Sequence, residues 1–508
     1  MACKMVFLLF YICVCNIFTL VNCKGQQNVL LIFADDGGFE SQVYNNTVCK
    51  TENINNLAKR SVIFKNAFTS VSSCSPSRST LLTGLPQHQN GMYGLHNDVH
   101  HFNSFDNIIS LPNILKKHDI RTGIIGKKHV GPDSVYSFDF EKTEETTSVL
   151  QVGRNITRIK LEVRKFLQES QKDPRPFFLY VAFHDPHRCL HSNPKYGIFC
   201  EKFGNGQPDM GIIPDWTPFV YDPKDVIVPY FVPDTPEARK DIAAQYTTIG
   251  RMDQGIGLIL KELSDAGFHD DTLIIYTSDN GIPFPSGRTN LYDPGMAEPL
   301  LISSPTQTGR WGHISEAMVS LLDIAPTILD WFNVTYKGKI ELSGRSLLPI
   351  TQFEPTSGWD EVFASQSLHE VTMYYPMRTV RTRRFKLIHN LANLSPFPID
   401  QDFYLSPTFR DILNRTHRNK PTNWYKTLKN YYFRAEWELY DLLIDPKELH
   451  NIIDDKALAR EVSYLKHQLH SWQLNTTDPW ICAPHGVLEP KISDGNKVFG
   501  CMPLYNEF

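Results

Sequence analysis

The sequence predicts an α/β fold: a large, mostly parallel sheet flanked by helices, with a smaller C-terminal α+β domain that carries an antiparallel sheet. Residues 156–167 and 237–265 place apolar side chains at helical spacing between the predicted strands. Such alternation is typical of a parallel sheet covered on both faces. Four continuous apolar runs that end in polar residues indicate strands buried on both faces: "NVLLIFADDGG", "RTGIIGKKH", "PFFLYVAFHDPH" and "TLIIYTSDNG".

The C-terminal part has a different pattern. Residues 343–359 are rich in loop-forming residues. After them, "RFKLIHNL" and "WELYDLLIDP" predict strands of a second sheet, and "LAREVSYLKHQLHSW" predicts a closing helix. We therefore expect a signal peptide at 1–23, a larger domain that carries the site at 24–384, and the smaller domain at 385–508.

The N-terminus has the pattern of a cleaved secretory signal. Lys4 precedes the apolar "MVFLLFYICVC", and "LVNC" leads into the polar "KGQQ". A signal anchor is the alternative, but Asn16 interrupts the run, which is short for a span of about 20 residues. We expect no membrane span in the mature chain.

Six cysteines remain after four of the ten are assigned to the signal. In an oxidising compartment, the closely spaced pairs predict the disulfides Cys189–Cys200 and Cys482–Cys501. Cys49 and Cys74 are left over, and a bond between them is the simplest alternative to any special role for Cys74.

Sequons are consistent with secretion. The sequence contains six sequons, and the one at Asn393 has Pro396 directly after its serine, which we expect to hinder glycosylation. The predicted glycosylation sites are Asn45, Asn155, Asn333, Asn414 and Asn475.

The charge balance limits the partners. Charged residues make up 21% of the 508 residues, and the formal net charge is −4. This composition predicts no nucleic-acid-binding surface, so an anionic substrate has to be bound by a local cluster of cations.

Carboxylates stand at the ends of two predicted buried strands. Asp35 and Asp36 end one strand, and Asp279 with Asn280 ends another. Ligands bind at the carboxyl ends of strands in parallel sheets, so we expect these side chains to meet. Their hard oxygen atoms suit Ca²⁺ or Mg²⁺. A turn or a helix cap is the alternative for either pair alone.

Four cations are candidates for the same crevice: Lys127, His129, His187 and Arg288. A lone histidine is more often a packed residue, but these two follow predicted buried strands, where loops carry function. Together with a divalent metal, the cations predict a phosphate or sulfate group as ligand, because arginine pairs well with tetrahedral oxyanions.

Cys74 lies in "CSPSR", just before a helix predicted to begin near Arg78. A helix N-terminus favours an anion or a thiol of lowered pKa. The residue is then a structural thiol, a thiolate nucleophile or a modified residue, and the spacing does not separate the last two.

The segment "CSPSRSTLLTG" resembles the signature of the sulfatase family. Further segments resemble sulfatases in the same order along the chain: "ADDGG", "GKKH", "VSLLDIAPTILDW" and "ELYDLLIDPKELHNI". The resemblance implies an alkaline-phosphatase-like fold, and oxidation of Cys74 to formylglycine by the formylglycine-generating enzyme. In the family, the hydrated aldehyde is the nucleophile that attacks sulfur.

The resemblance also implies roles for individual residues. Asp35, Asp36, Asp279 and Asn280, with the modified Cys74, match the calcium ligands. Arg78, Lys127 and His129 match the residues that hold the diol, and His187 and Arg288 those that bind the sulfuryl group. We expect His187 to be the general acid. Many sulfatases have lysine where Arg288 stands, and arginine transfers a proton poorly.

Other segments, including "FHDPHRC" and "FPIDQDFY", resemble the branch of the family that acts on heparan sulfate. That branch removes N-linked sulfate from terminal N-sulfoglucosamine, in the lysosome and as a homodimer. For the sugar pocket we expect His88, His96, His369 and Glu370, with Asp98, His100, His101 and Arg378 as further candidates. Surface loops or domain packing are the alternative.

Three other functions are compatible with parts of the pattern. An O-sulfatase acting on another sugar or an aryl ester would use the same catalytic residues. A metal-dependent phosphatase of the same fold would normally have Ser or Thr at position 74. A secreted glycan-binding protein would not need every catalytic position filled.

Overall fold

The architecture is that of a computed structural model, which describes residues 27–189, 196–493 and 496–504. The predicted signal peptide lies outside these residues. An eight-stranded sheet forms the centre, with the strand order β4-β3-β5-β1-β6-β7-β2-β8. Its strands are β1 Asn28–Asp35, β2 Val62–Phe68, β3 Arg121–Gly126, β4 Phe140–Thr143, β5 Phe177–Pro186, β6 Thr272–Ser278, β7 Ala297–Ser303 and β8 Ile314–Ser320.

Helices connect these strands and cover both faces of the sheet. Two of them confirm the helical spacing seen in the sequence, one at 156–170 and one at 236–265. The helices are α1 Glu52–Ala58, α2 Cys74–Thr83, α3 Gln87–Asn90, α4 Leu111–Lys116, α5 Ile156–Ser170, α6 Pro236–Asp265, α7 Asp293–Met296, α8 Ile324–Trp331, α9 Leu348–Gln352, α10 Gln401–Tyr404, α11 Pro407–His417, α12 Leu428–Tyr432 and α13 Ala459–Asn475.

The four strands predicted from apolar runs are β1, β3, β5 and β6, and they are neighbours in the sheet. β3 pairs with β5, β5 with β1 and β1 with β6, all in parallel. Every residue of β1 is buried, because apolar clusters cover both faces of the sheet. The carboxyl ends of these four strands therefore lie side by side at one edge, and the expected α/β fold is confirmed.

The smaller sheet is antiparallel and has the order β12-β11-β10-β9. It contains both predicted strands. However, it begins at Glu361, which is before the domain boundary expected at residue 385. That boundary would separate strands β10 and β11, which pair with each other. α13 packs on it through Leu465 and Leu469. Its strands are β9 Glu361–Gln366, β10 Met377–Thr382, β11 Phe385–Asn390 and β12 Trp437–Asp441, and a separate hairpin follows with β13 Gly486–Ser493 and β14 Asn496–Pro503.

Both predicted disulfides are present, between Cys189 and Cys200 and between Cys482 and Cys501. Cys49 and Cys74 are free and buried, so the alternative of a bond between them is wrong. Among the described residues, no helix is both long and apolar enough to cross a membrane.

The sequon asparagines lie at the surface with one partial exception. Asn155 is half-buried and its side chain accepts a hydrogen bond from the backbone N–H of Arg158 at the start of α5. The others, Asn45, Asn333, Asn414 and Asn475, are exposed.

Arg378, a candidate for the sugar pocket, instead links the smaller sheet to the C-terminal segment. Its side chain is completely buried and donates to both carboxylate oxygens of Asp478, at 2.6 and 2.9 Å. Its third nitrogen donates to the Gln366 carbonyl at 3.1 Å. This pair is structural.

Arg378→Ala should lower the free energy of unfolding by about 3–5 kcal/mol, because it leaves the Asp478 carboxylate buried without its partner. Urea unfolding measures the change. Arg383→Ala is the matched control: its ion pair with Asp360 is about half exposed, and its loss should change stability by less than about 1 kcal/mol. Equal effects of the two substitutions would contradict a structural role for Arg378.

Candidate active site

The candidate active site lies where the four parallel strands end. Asp35 is the last residue of β1 and Asp36 follows it, while Asp279 and Asn280 follow β6. Because β1 and β6 are neighbours in register, the two pairs meet, as predicted. The backbone N–H of Asp36 donates to Asp279 Oδ1 at 3.0 Å, and Asn280 Nδ2 donates to Asp36 Oδ1 at 2.7 Å.

These residues fit a hard divalent cation. Single ligand atoms of Asp35, Cys74 and Asp279 lie within 4.8 Å of one another. Asn280 Oδ1 is buried and has no hydrogen-bond partner, although its amide nitrogen is engaged. An orphaned amide oxygen beside clustered carboxylates is the donor set that Ca²⁺ or Mg²⁺ prefers.

Burial and neighbouring charges shift the pKa values of all three carboxyl groups in this cluster. Burial raises the pKa of Asp36 well above its usual value, and only Arg288 opposes this effect strongly. Burial also raises the pKa of Asp279, to about 6. The pKa of Asp35 lies well below its usual value, because the cations Lys127 and Arg78 oppose the effect of its burial. A bound cation would hold all three ionised.

Arg78 and Lys127 are the cations that form ion pairs with the carboxylates of this cluster. Arg78 is completely buried and donates to Asp279 Oδ2 at 2.8 Å and to Asp35 Oδ1 at 3.1 Å. Lys127 Nζ lies 2.6 Å from Asp35 Oδ2. Lys127 follows Gly126, whose φ of +101° turns the chain where β3 ends, and a Cβ at Gly126 would lie 1.9 Å from the Ala182 carbonyl oxygen.

Arg288 and His187 form a second group on the other side of Asp36. Arg288 Nη1 donates to Asp36 Oδ2 and to His187 Nε2, the latter at 2.9 Å. Arg288 Nη2 donates to Asp400 Oδ1 at 3.0 Å and to Asp402 Oδ1. The N-terminal end of α10, in the C-terminal region, thus reaches into the site.

The hydrogen bonds of His187 fix its protonation. Nδ1 lies 2.8 Å from the carbonyl oxygen of Arg188, which can only accept, so Nδ1 carries the proton. Nε2 faces a guanidinium N–H and therefore offers its lone pair. Burial lowers the pKa of His187 to about 3. In this arrangement the single ring proton is on Nδ1, and the general-acid role expected for His187 remains a prediction.

His129 lines the cavity, but its side chain makes its hydrogen bond to Asn97 and not to the carboxylates. Its Nε2 lies 2.7 Å from Asn97 Oδ1, and its buried Nδ1 has no partner.

Strained backbone is common at functional sites. Five non-glycine residues on the site loops have positive φ: Asp36 at 59°, Asp98 at 47°, His129 at 51°, Ser286 at 67° and Thr289 at 72°.

Cys74 is the first residue of α2, so the helix begins four residues earlier than expected at Arg78. The preceding Ser73 does not cap the helix, because its hydroxyl contacts His369 Nδ1 at 2.8 Å. Burial and the neighbouring carboxylates raise the pKa of the Cys74 thiol well above its usual value, although Lys127 opposes them. The thiolate interpretation is therefore disfavoured, since an unmodified Cys74 is a protonated thiol.

A cavity of about 450 Å³ opens above Cys74. The predicted residues Lys127, His129, His187, Arg288, His369 and Glu370 line it, and so do Asp98 and His100. His88 does not: it is buried elsewhere, with Nε2 2.8 Å from Thr476 Oγ1 and its ring against Trp472. His96 is also not among the lining residues, since its Nδ1 bonds the Phe102 carbonyl and its ring stacks on His101. Of the four residues expected in the sugar pocket, His88 and His96 thus lie outside the lining of this cavity.

Comparison with known proteins agrees with this geometry. The family model described as Sulfatase matches residues 27–334, and the one described as N-sulphoglucosamine sulphohydrolase, C-terminal, matches residues 287–404 and 397–475. The chain belongs to the sulfatase family. It is 64% identical, over 97% of its length and 98% of the relative's, to human N-sulphoglucosamine sulphohydrolase. This sulfatase chain is therefore a hydrolase.

Solved structures share the fold. One is described as a complex with its substrate D-glucosamine-2-N,6-O-disulfate; it has a TM-score of 0.62 and 20% identity, and covers 89% of this chain and 99% of its own. Another is the phosphonate monoester hydrolase of Agrobacterium radiobacter, with a TM-score of 0.59 and 19% identity, covering 93% and 99%. At such identities the likeness supports the fold alone.

Sequence analysis gave no role to several residues that line the cavity. His184 could have been found, because it also follows a predicted strand; its Nδ1 lies 2.9 Å from Glu144 Oε1. The others lie on loops or, for Asp402, on the short helix α10, and only the fold brings them to the cavity: Glu144, Glu145, Asn97, Tyr196 and Asp402.

The segment that follows β1 contains a further buried carboxyl group, that of Glu40. Glu40 is 9% exposed and its Oε2 has no hydrogen-bond partner. Burial raises the pKa of Glu40 from 4.5 to about 7, although backbone N–H groups of Glu40 and Gly38 oppose the shift. A carboxyl with a raised folded pKa binds its proton more tightly in the folded state, so stability falls as the pH rises from 4.5 through 7.

Glu40→Gln should remove this loss of stability at higher pH, because glutamine does not titrate. Between pH 4.5 and pH 8, the wild type should lose about 3 kcal/mol more unfolding free energy than the variant, at 1.36 kcal/mol for each pKa unit. Urea unfolding at both pH values measures the difference. The exposed Glu489→Gln is the control and should follow the wild type. If Glu40→Gln also follows the wild type, Glu40 does not titrate as described.

Proposed function

We propose that the chain hydrolyses the N-linked sulfate of terminal N-sulfoglucosamine residues in heparan sulfate. The single observation that carries this proposal is the 64% identity over 97% of the chain to a relative named for that substrate. The geometry supports it, because the predicted nucleophile, carboxylates and cations converge on one cavity.

The nucleophile is formylglycine made from Cys74. The buried thiol has a raised pKa and no disulfide partner, so it is chemically idle as cysteine. Hydrated formylglycine supplies a hydroxyl that attacks sulfur. Conversion needs the formylglycine-generating enzyme during biosynthesis, and the chain would meet that enzyme after the predicted signal peptide directs it into the secretory pathway.

Calcium is the proposed metal, held by Asp35, Asp36, Asp279 and Asn280 with the side chain of residue 74. When bound, it supplies a Lewis acid that neutralises charge on oxygen. The orphaned Oδ1 of Asn280 and the excess of buried carboxylates support this assignment.

The side chains around residue 74 provide orientation and charge. Arg78 and Lys127 hold the carboxylates in place and face the nucleophile with positive charge. Arg288 is placed to bind sulfuryl oxygens with its planar guanidinium. His187, neutral and fixed by the Arg188 carbonyl, orients Arg288 through its Nε2. His369 and Glu370 line the part of the cavity where the sugar would lie.

The compartment and assembly follow from the same proposal. Glycosylation of the exposed sequon asparagines would allow delivery to the lysosome by mannose 6-phosphate, and the resemblance implies a homodimer. Buried carboxyls with raised pKa values, such as Glu40 and Glu144, favour stability at acid pH, which suits a lysosomal protein.

A panel of sulfated monosaccharides tests the function. The secreted protein should release sulfate from N-sulfoglucosamine and not from N-acetylglucosamine 6-O-sulfate, because recognition is expected at the sulfamate nitrogen. Sulfate release is measured by ion chromatography, and Cys74→Ala is the blank. Preferential release from the O-sulfated sugar would support the O-sulfatase alternative instead.

A mass spectrum of the tryptic peptide spanning residues 66–78, from protein secreted by animal cells, tests the nucleophile. Cys74 should carry the mass of an aldehyde or its hydrate and should resist thiol alkylation. Cys49 in the same digest, released under denaturing conditions, is the internal control and should be alkylated. An ordinary, alkylatable Cys74 in active protein would contradict the proposed nucleophile.

A further inference from the structure

A large groove is lined by residues from the regions of both sheets, and its volume is about 1130 Å³. The end of β8, residues 322–323 and residues 339–345 line it from the large sheet's side. The start of β9 and the end of α13 line it from the small sheet's side. The described residues that line this groove are different from those that line the catalytic cavity.

A predicted glycosylation site opens directly onto this groove. Asn475 is the last residue of α13, it is exposed, and it begins the sequon Asn475-Thr476-Thr477. All three residues of the sequon line the groove. A glycan attached to Asn475 would therefore start in the groove and not in open solvent.

His88 places a buried hydrogen-bond acceptor in the lining of the groove, where it is 4% exposed. The Thr476 hydroxyl donates to the Trp472 carbonyl oxygen at 2.8 Å, so it accepts from His88 Nε2, which is also 2.8 Å away. Nε2 therefore carries the ring proton, and burial keeps the ring neutral by lowering the pKa of His88 to about 4. Nδ1 remains as an acceptor, and it has no hydrogen-bond partner among the described residues.

Gln89 adds a second acceptor to the lining of the groove. Its buried Oε1 also has no partner in the part of the chain that the structure describes. Buried polar atoms are normally hydrogen-bonded, so two unpartnered acceptors in one groove indicate that something else supplies the donors. N-acetylglucosamine carries such donors, in its hydroxyl groups and its acetamido N–H.

The rest of the lining suits an uncharged sugar better than a sulfated chain. Trp359, Phe363 and Trp472 supply aromatic surface, and the rings of Phe363 and Trp472 stack with their centroids 5.4 Å apart. Small-molecule sites combine apolar and aromatic surface with a few polar groups. The charged lining residues are mixed in sign and make no basic patch for a polyanion: Lys339, Arg345, Asp323, Glu341 and Glu361.

We propose that Asn475 is glycosylated and that the first two N-acetylglucosamine residues of its glycan lie in this groove as a structural part of the fold. In the modification, Asn475 Nδ2 loses a proton and bonds to C1 of the first sugar. The C1–O bond to the lipid pyrophosphate donor breaks, and the pyrophosphate leaves with the electron pair. Donors on the sugars then bond His88 Nδ1 and Gln89 Oε1, and the sugars connect the end of α13 to residues 339–345. This inference rests on the secretory route in the proposed function and not on the reaction.

Glycopeptide mass spectrometry of protein secreted by animal cells tests the modification. The reduced tryptic peptide spanning residues 467–491 should carry a glycan at Asn475. In the folded protein, peptide N-glycosidase F should release this glycan about tenfold more slowly than the glycans at the exposed Asn333 and Asn414, because a bound sugar is cleaved only when it leaves the groove. After denaturation the rates should be equal. An unmodified Asn475, or equally fast release from the folded protein, overturns the proposal.

Thr477→Ala and Thr477→Ser are a matched pair for stability. Both remove the γ-methyl group of an exposed residue, but only Thr477→Ala destroys the sequon. Thr477→Ala should lower Tm by about 2 °C or more and Thr477→Ser by less than about 1 °C, as scanning calorimetry measures. Equal Tm values, with the glycan present in one variant and absent from the other, contradict a structural glycan.

His88→Phe tests whether the glycan acts through the groove. Phenylalanine keeps an aromatic ring against Trp472 and removes both nitrogen atoms. Thr477→Ala should then lower Tm less in the His88→Phe background than in the wild type, because residues that share an interaction are coupled. A glycan that acts only on solubility or on the unfolded chain would give equal losses in both backgrounds, and that result overturns the proposal. Failure of the proposed function would appear separately, as fully glycosylated protein that releases no sulfate from N-sulfoglucosamine.

Discussion

The site depends on balancing buried carboxylates that the parallel sheet forces together. β1 and β6 are adjacent and in register, so Asp35 and Asp279 reach the same point in the interior. Arg78 bridges both carboxylates from a completely buried position, and Lys127 adds a second cation from the end of β3. Unpaired, these charges would be too costly to bury. The same cluster leaves Asn280 Oδ1 without a hydrogen-bond partner, and a divalent cation would supply one.

The sequence predicted this edge of the sheet well because strand burial and strand-end chemistry are both local signals. An apolar run buried on both faces must be a central strand, and a polar residue at its end must lie at the edge where the loops begin. Such rules or short spacings lead to the proposed metal ligands, to Lys127 and His187 at the site, and to the disulfides. The family signature then supplied what no pattern contains, namely that Cys74 is a candidate for modification.

Long-range contacts account for what the sequence did not predict. Asp400 and Asp402 reach Arg288 across more than 110 residues of chain, at sequence separations of 112 and 114. His88 follows the signature helix and suggested a pocket residue, but Thr476 from the end of α13 holds it elsewhere. The start of α2 was misplaced because a helix that begins with Cys-Ser-Pro lacks the usual capping pattern, its Ser73 hydroxyl being engaged by His369.

The C-terminal half therefore completes the active site rather than only stabilising it. Ser73 and Cys74 at the start of α2 face His369, which follows β9, and Asp402 closes the other side of the cavity through Arg288. Arg378 and Asp478 tie the same small sheet to the C-terminal segment. A change that loosens this sheet would move His369 and Asp402 while leaving the carboxylates on β1 and β6 in place.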